Sequence, residues 1–193
     1  MHFGIDYGSK LAGTTVVTYN LNGNLKQRSS EKRKDADMLI LEAVKELGPT
    51  SIFIDAPLSL PLAYSNKGND FFYREADRML KAMSPMFLGG LTARAMKLKT
   101  QIEAEFGIAA YETYPAALIQ TFSDLSELYN KKDVKSIPPF IEIFSQKIPD
   151  FSIEELPKSY HSVDSLLAWF SGYRHLEGKA SCVGNKKEGI IIF

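Results

Sequence analysis

The fold of this chain is decided by residues 2–30, which read HFGIDYGSKLAGTTVVTYNLNGNLKQRSS. Residues 2–6 are a short apolar run and residues 13–20 are β-branched and aromatic, so both segments predict strands. Asn22-Gly23 is a strong hairpin signal, and residues 24–30 are expected to return as a third, antiparallel strand. The segment therefore predicts three antiparallel strands in succession.

Helix and strand patterns alternate through the rest of the chain. Apolar residues at helical spacing predict a helix over 35–47 that Gly48-Pro49 ends, and residues 51–55 read as a buried strand. Two helices are predicted next, over about 70–83 and about 91–106, followed by a strand over 108–112. Three more helices are predicted, one opening at Tyr114-Pro115, one over about 139–147 and one over about 160–177, and residues 189–193 read as a final strand. This order, with acidic residues at strand ends, predicts an α/β protein of the RNase H-like fold, in which three antiparallel strands and then parallel strands form a mixed sheet flanked by helices.

The length and the balance of charges indicate one globular domain. The 193 residues are 45% hydrophobic, and we expect a single RNase H-like domain over 1–193 with a variable insert at about 123–157. Basic and acidic residues number 23 each, so a nucleic acid would have to bind through local patches or a metal site. These numbers leave the oligomeric state open.

Cysteine usage and the lack of long apolar runs favour a cytoplasmic protein. The single cysteine, Cys182, excludes a disulfide framework and a cysteine-rich zinc site. The first residues, MHFGIDYGSK, lack the basic start and apolar stretch of a signal peptide. No apolar run approaches the roughly 20 residues that span a bilayer, so we expect no membrane partner.

Four carboxylates occupy positions where a metal site would form. Asp6, Asp55 and Glu112 each end or closely follow an apolar run. Asp164 lies in the first turn of the last predicted helix. Ligands of open α/β sheets collect at the carboxyl ends of the parallel strands, and oxygen-only ligation suits Mg²⁺ or Mn²⁺. Two such cations about 3.5–4 Å apart can hydrolyse a phosphodiester, so all four acids are candidate catalytic residues and metal ligands.

Each acid also has a structural interpretation. Asp6 can bond its own backbone in a turn, and Asp55 can cap the loop that follows it. Glu112 can cap the helix that opens at Pro115, and Asp164 can interact favourably with the dipole of its own helix. The case for a metal site therefore rests on the four residues together.

Basic residues near these acids are candidates for binding substrate phosphates. Arg74 and Arg78 lie one turn apart on the helix predicted over 70–83, and guanidinium groups match phosphate oxygens bidentately. Lys10, close after Asp6, is a third candidate. The alternative is that these side chains simply form a solvated face.

Two further polar residues are second-tier candidates. Asp77 lies three residues after Arg74, where it can form an ion pair within the helix. His161 lies three residues before Asp164 on one helix face. A histidine in such a position more often hydrogen-bonds a neighbour than binds a metal.

Several motifs, taken in order along nearly the whole chain, resemble one known family. They are GIDYGSK, IDAPLSLP, READRML, ETYPAALI, HSVDSLLAWFSGY and GNKKEGIIIF. The chain is similar in these motifs to family 429 of the domains of unknown function, predicted RNase H-like nucleases. The resemblance implies an RNase H-like fold and a metal-dependent nuclease site on four residues, Asp6, Asp55, Glu112 and Asp164. GIDYGSK is also similar to the first motif of the RuvC-like resolvases, which share the fold.

The main functional hypothesis is a nuclease that uses Mg²⁺ or Mn²⁺ to hydrolyse phosphodiester bonds of DNA or RNA. Two alternatives stay open. GIDYGSKLAGTT also resembles the phosphate-binding hairpin of an actin-like ATP-dependent phosphotransferase, although a second phosphate loop and an adenosine-binding glycine motif are missing. The chain could instead be a non-catalytic nucleic-acid-binding module whose acids serve the fold.

Overall fold

The computed structural model describes residues 1–193, and eight strands form a single sheet. The strands are β1 (His2–Asp6), β2 (Val16–Leu21), β3 (Asn24–Ser29), β4 (Ser51–Asp55), β5 (Ala109–Thr113), β6 (Ser152–Ile153), β7 (Cys182–Asn185) and β8 (Gly189–Ile192). Their order across the sheet is β6-β3-β2-β1-β4-β5-β8-β7. The first three are antiparallel neighbours, whereas β4, β5 and β8 all run parallel to β1.

Eight α-helices connect and cover these strands. They are α1 (Ala36–Leu47), α2 (Glu75–Leu80), α3 (Pro85–Leu88), α4 (Gly90–Phe106), α5 (Pro115–Gln120), α6 (Ser123–Ser126), α7 (Ile137–Ser145) and α8 (Tyr160–Leu176). Short 3₁₀ turns cover Leu62–Ser65 and Val134–Ser136. No helix combines the length and apolar character needed to cross a membrane.

The first five strands confirm the predicted fold class. Asn22 and Gly23 have positive φ values of 53° and 84°, which the two-residue turn between β2 and β3 favours. The connection through α1 brings β4 beside β1 in parallel, and the connection through α4 brings β5 beside β4. Three antiparallel strands followed by parallel strands, with helices on both faces, make up an RNase H-like fold.

Two hydrophobic layers hold the helices against the sheet. On one face Ile54 of β4 lies in a buried cluster with Ile40 of α1 and Leu98 of α4. On the other face α5, α7 and α8 share a second cluster that contains Phe144 and Leu167. Burying these side chains is the main force that fixes the helices, at roughly 25 cal/mol per Å² of apolar surface. The site residues on β1, β4 and α8 are therefore held on rigid elements.

Three segments differ from the predicted elements. The helix expected over 70–83 is shortened to α2, because Arg74 is extended at φ −80°, ψ 161° and Lys81 has a left-handed φ of 52°. Residues 182–192 form a two-stranded hairpin, where the sequence predicts one strand. Segment 123–157 contributes α6, α7 and β6, and β6 extends the sheet by pairing in parallel with β3.

Candidate metal centre

Asp6 and Asp55 end neighbouring parallel strands at the same level. In the pairing of β1 with β4, Asp6 stands opposite Asp55. Residues in register on neighbouring strands point to the same face of the sheet. The chain leaves the sheet directly after each residue, so both carboxylates lie at the carboxyl edge, on the face that α8 covers.

The fit of α8 against β1 brings a third carboxylate to this point. Every second residue of a strand points to the same face, and two such residues lie about 6.6 Å apart along the strand. Four residues of a helix, about one turn, rise about 6 Å, a similar distance. Successive residues on one face of β1 can therefore contact successive turns of α8. Three such pairs form, in order His2 with Trp169, Gly4 with Ser165, and Asp6 with His161. Gly4 allows the close approach, because a Cβ there would lie 2.0 Å from the backbone N of Trp169. Asp164, one turn into α8, is thereby carried to the strand ends.

Asp6, Asp55 and Asp164 form a cluster in which their carboxylate ligand atoms all lie within 4.8 Å of one another. Burial raises the pKa of each of the three carboxyls above its ordinary value. For Asp55 the charges of Asp6 and Asp164 raise the pKa further. Carboxylates this close and this buried repel one another, so the cluster requires compensation by positive charge.

Side chains around the cluster supply part of that compensation. Nδ1 of His161 lies 2.8 Å from Oδ2 of Asp6, and this hydrogen bond raises the pKa of His161. The hydroxyl of Tyr129 donates to Oδ1 of Asp164. The ammonium of Lys131 donates to Oδ2 of Asp164 at 2.6 Å. The second-tier candidate His161 is thus in contact with the cluster.

Tyr129 and Lys131 are not candidates from sequence, because both lie in segment 123–157, which has no recognised motif. This segment folds back so that both residues meet Asp164. One signal could have found them. A cluster of buried acids needs a base, and Lys131-Lys132 is a basic pair in the segment that precedes α8.

Glu112 lies outside the acidic cluster, unlike the predicted four-carboxylate set. It pairs with Ile54, the residue before Asp55, and consecutive residues of a strand point to opposite faces. Its side chain therefore starts on the α4 side of the sheet, away from Asp55. Its Oε2 accepts a hydrogen bond from the backbone N–H of Leu58 at 2.9 Å, and both its oxygens accept from Arg74.

Arg74 is buried, with 1% of its surface exposed, rather than presented to a substrate phosphate. Its Nε and Nη2 donate to Asp77, and its Nη1 and Nη2 donate to Glu112 at 2.6 Å. Nη1 also donates to Oγ of Ser59 at 2.8 Å. All five guanidinium N–H groups are thereby used within the protein, and none is left for a phosphate. The predicted helical ion pair of Arg74 with Asp77 is present, but it is buried.

Arg78 and Lys10 are exposed and lie away from the carboxylates. Arg78 forms an ion pair with Asp70 and stacks on the ring of Tyr73 at 4.7 Å, with 62% of its side chain exposed. Nζ of Lys10 lies 3.0 Å from the carboxylate of Asp35. Neither residue lines the cleft beside the carboxylates, so the structure does not place Arg78 or Lys10 near the predicted acidic residues.

A cleft of about 350 Å³ opens beside the cluster. Asp6, Asp55 and Lys131 line it together with apolar side chains such as Met83. The buried ion-pair network of Arg74, Asp77 and Glu112 also borders this cleft, so it lies next to the acidic cluster without joining it. Thr113 also lines the cleft, and its buried hydroxyl has no hydrogen-bond partner in the protein. Buried polar groups are normally paired, so this hydroxyl offers an additional contact to a molecule in the cleft.

The donors of the cluster fit a hard divalent cation. Three carboxylates provide the oxygen ligands that Mg²⁺ and Mn²⁺ prefer, and no sulfur ligand is present in the cluster. Asp55 is the most available of the three, because His161 contacts Asp6 and both Tyr129 and Lys131 donate to Asp164, whereas no side chain donates to Asp55. Asp6, Asp55 and Asp164 are therefore the residues that would hold such an ion.

Solved structures similar to this chain include "T. thermophilus RuvC in complex with Holliday junction substrate", with a TM-score of 0.48, and "Thermus thermophilus RuvC structure", with a TM-score of 0.44. Each is 16% identical, and the alignments cover 92% of this chain and 96% of the other. No protein-family model matches the chain, and no curated protein matches its sequence. The likeness is too weak to assign an activity, so the fold assignment rests on strand order and pairing, and the resemblance to family 429 stays a prediction.

Proposed function

We propose that the chain is a metal-dependent nuclease that hydrolyses phosphodiester bonds. The observation that carries this proposal is the cluster of Asp6, Asp55 and Asp164, with ligand atoms within 4.8 Å of one another, at the edge of a cleft. One or two divalent cations bound there would activate water and stabilise charge on the phosphoryl group. The cluster supports this chemistry because its carboxylates come from rigid strands and a helix rather than from loops.

The surrounding side chains suit the same reaction. Lys131 borders the cleft with 53% of its side chain exposed, so its ammonium can bind a phosphate oxygen. This is the role that the sequence predicts for Arg74. His161 orients the carboxylate of Asp6 through Nδ1. Arg74 donates to Glu112, and Glu112 in turn accepts a hydrogen bond from the backbone N–H of Leu58. Arg74 therefore helps to fix the loop that follows Asp55.

Several finer features belong to the same proposal. The substrate would be a nucleic acid, DNA or RNA, and the cation Mg²⁺ or Mn²⁺. Residues 1–193 would act as one domain of family 429, in which the insert at 123–157 supplies Tyr129 and Lys131 to the site. The protein would work in the cytoplasm, which suits the free, exposed thiol of Cys182.

Incubation with nucleic acids tests the proposal directly. Single-stranded, duplex, hybrid and branched substrates are mixed with the purified protein and Mn²⁺ or Mg²⁺. We expect metal-dependent cleavage of at least one substrate, lost in Asp6→Asn and Asp55→Asn and retained in Asp150→Asn, a matched change of an exposed acid. Failure to cleave any substrate, or full activity of Asp6→Asn, would remove the proposal.

A second candidate function has one observation in its favour. The ion pair of Lys131 with Asp164 compensates part of the acidic charge without a metal, as a non-catalytic binding module would require. In such a module Mn²⁺ would leave the melting temperature unchanged, whereas a ligand of the native state raises it. Thermal unfolding with and without Mn²⁺ therefore separates the two candidates.

A further inference from the structure

We propose that Lys131 is an internal cation of the acidic cluster, and that a divalent metal ion enters the site by displacing the Lys131 ammonium from Asp164. This inference rests on the proposed metal site and adds a residue that sets the affinity of that site. It also gives Lys131 two positions, one on Asp164 and one in the cleft.

Both carboxylate oxygens of Asp164 already accept hydrogen bonds from protein side chains. One short segment holds both of its carboxylate oxygens, because Tyr129 donates to Oδ1 and Lys131 donates to Oδ2 at 2.6 Å. Charge-assisted hydrogen bonds of this length are strong. A divalent ion that used Oδ2 would lie within a few ångströms of the ammonium, and the two positive charges would repel each other at that distance.

Lys131 also bears on the charge of the cluster as a whole. The ammonium of Lys131 lies 2.6 Å from Oδ2 of Asp164, and Asp164, Asp55 and Asp6 each place one carboxylate oxygen within 4.8 Å of the other two. The ammonium therefore lies beside the whole cluster and offsets part of the carboxylate repulsion when the cluster has no metal. A metal ion brings two positive charges to the same carboxylates, after which the ammonium is no longer needed there.

The two partners of Asp164 differ in mobility. The ring of Tyr129 packs edge-on against Tyr160 at 5.3 Å and in a tilted arrangement against Phe140 at 5.9 Å, so the hydroxyl is held in place. Lys131 has a flexible four-carbon stem, and 53% of its side chain is exposed. Its ammonium can therefore leave Oδ2 without unfolding the segment.

The displaced ammonium keeps a use in the proposed reaction. Lys131 lines the same cleft as Asp6 and Asp55, so an ammonium released from Asp164 faces the space that a phosphodiester would occupy. Metal entry would then do two things at once, by filling the carboxylate cluster and by freeing a phosphate-binding group. Arg74 cannot do this, because all its donors are used.

Isothermal titration of the full chain with MnCl₂ tests the exchange without any cleavage assay. Wild type is compared with Lys131→Met, which keeps the length of the side chain and removes its charge. Lys132→Met is the matched control, because Lys132 is the exposed neighbour and forms no ion pair. We expect Lys131→Met to bind Mn²⁺ roughly tenfold more tightly or better, the scale of one charge-assisted hydrogen bond, and Lys132→Met to match wild type.

The melting temperature gives a second readout. In EDTA we expect Lys131→Met to melt below wild type, because three buried carboxylates lose their cation, and at saturating Mn²⁺ we expect this deficit to disappear. If Lys131→Met binds Mn²⁺ no more tightly than wild type, the proposed displacement of Lys131 is wrong, but the proposed metal site is not. If neither protein binds Mn²⁺, the exchange and the proposed function both fail. If Lys131→Met binds Mn²⁺ and wild type does not, the exchange is supported, because the ammonium of Lys131 then keeps the ion out of the site altogether.

Discussion

Asp6 and Asp55 stand opposite each other at the ends of the neighbouring parallel strands β1 and β4, with their carboxylates in one buried cluster. This arrangement works against stability, because burial and mutual repulsion raise the pKa of both carboxyls. Native proteins tolerate such strain chiefly at functional sites. The predictions below separate what these two residues do for function from what their neighbours do for the fold.

Neutralising Asp55 should stabilise the metal-free protein. Because the folded-state pKa of Asp55 is raised, its contribution to stability is greatest below the ordinary pKa of a carboxyl and is lost as the pH rises through the folded value. We expect Asp55→Asn to raise the free energy of unfolding at pH 8 in EDTA by roughly 0.5–3 kcal/mol, the ordinary scale of a single substitution, and by much less near pH 4. Urea unfolding at the two pH values measures this difference.

Excess Mn²⁺ provides the control for the Asp55 experiment. Wild type should gain stability from the ion and Asp55→Asn should gain little, so that the order of the two proteins reverses. A loss of stability in Asp55→Asn at pH 8 in EDTA would show that the carboxylate serves the fold instead.

Removing the Arg74 guanidinium should be severely destabilising. It would leave Glu112 and Asp77 buried without a counter-charge, and breaking one partner of a buried ion pair costs roughly 3–5 kcal/mol. Arg78→Met is the matched control, because Arg78 is 62% exposed and its surface pair with Asp70 contributes little. Chemical denaturation of both variants measures the difference.

A triple variant tests whether the cost comes from the two stranded carboxylates. Arg74→Met combined with Asp77→Asn and Glu112→Gln should recover part of the lost stability, because no unpaired charge remains buried. If Arg74→Met unfolds at the same denaturant concentration as wild type, Arg74 does not hold this network.

His2 should make the protein sensitive to acid. Its Nε2–H donates to the carbonyl of Trp169 at 2.8 Å, and burial lowers the pKa of His2 from 6.5 to about 4. Between these values the unfolded state binds a proton and the folded state does not, so stability falls as the pH drops from about 6.5 to about 4, by roughly 3 kcal/mol in all.

The variant His2→Gln isolates this contribution, because glutamine can keep an N–H donor and does not titrate. The difference in unfolding free energy between wild type and His2→Gln should change by roughly 3 kcal/mol between pH 7 and pH 4. A difference that is constant over this range would contradict the assignment.

Gly4 should be intolerant of any side chain. A Cβ there would lie 2.0 Å from the backbone N of Trp169, so Gly4→Ala must push α8 away from β1. We expect a loss of at least about 2 kcal/mol of stability together with weaker Mn²⁺ binding, since α8 carries Asp164. Gly90→Ala, where a Cβ meets nothing within 4 Å, should lower neither quantity. Equal melting temperatures for Gly4→Ala and wild type would contradict this close contact.

The strand ends could be predicted from sequence because their signals are local. Apolar runs that stop at Asp6 and Asp55 define both strands and the edge at which they end, and a helical pattern places Asp164 near the start of the last helix. The hairpin signal of Asn22-Gly23 and the alternation of later elements then select the fold class. Each of these inferences uses residues that are neighbours in the sequence.

The environments of the other candidates could not be predicted, because they depend on register and on long-range contacts. One position of register separates Glu112 from Asp55, and no local pattern fixes register to a single residue. Arg74 looks like an exposed helical residue until α2 is seen to begin after it. Lys131 reaches Asp164 only through the folding of segment 123–157, which has no sequence signature.

The most direct test of the central claim is a crystal structure of the protein soaked with Mn²⁺, with anomalous scattering used to locate the ion. The account predicts an anomalous peak within ligand distance of Asp6, Asp55 and Asp164, with the ammonium of Lys131 withdrawn from Oδ2 of Asp164. Absence of a peak at these carboxylates after soaking at millimolar Mn²⁺, or a peak only at another site, would contradict the claim that this cluster is a metal centre.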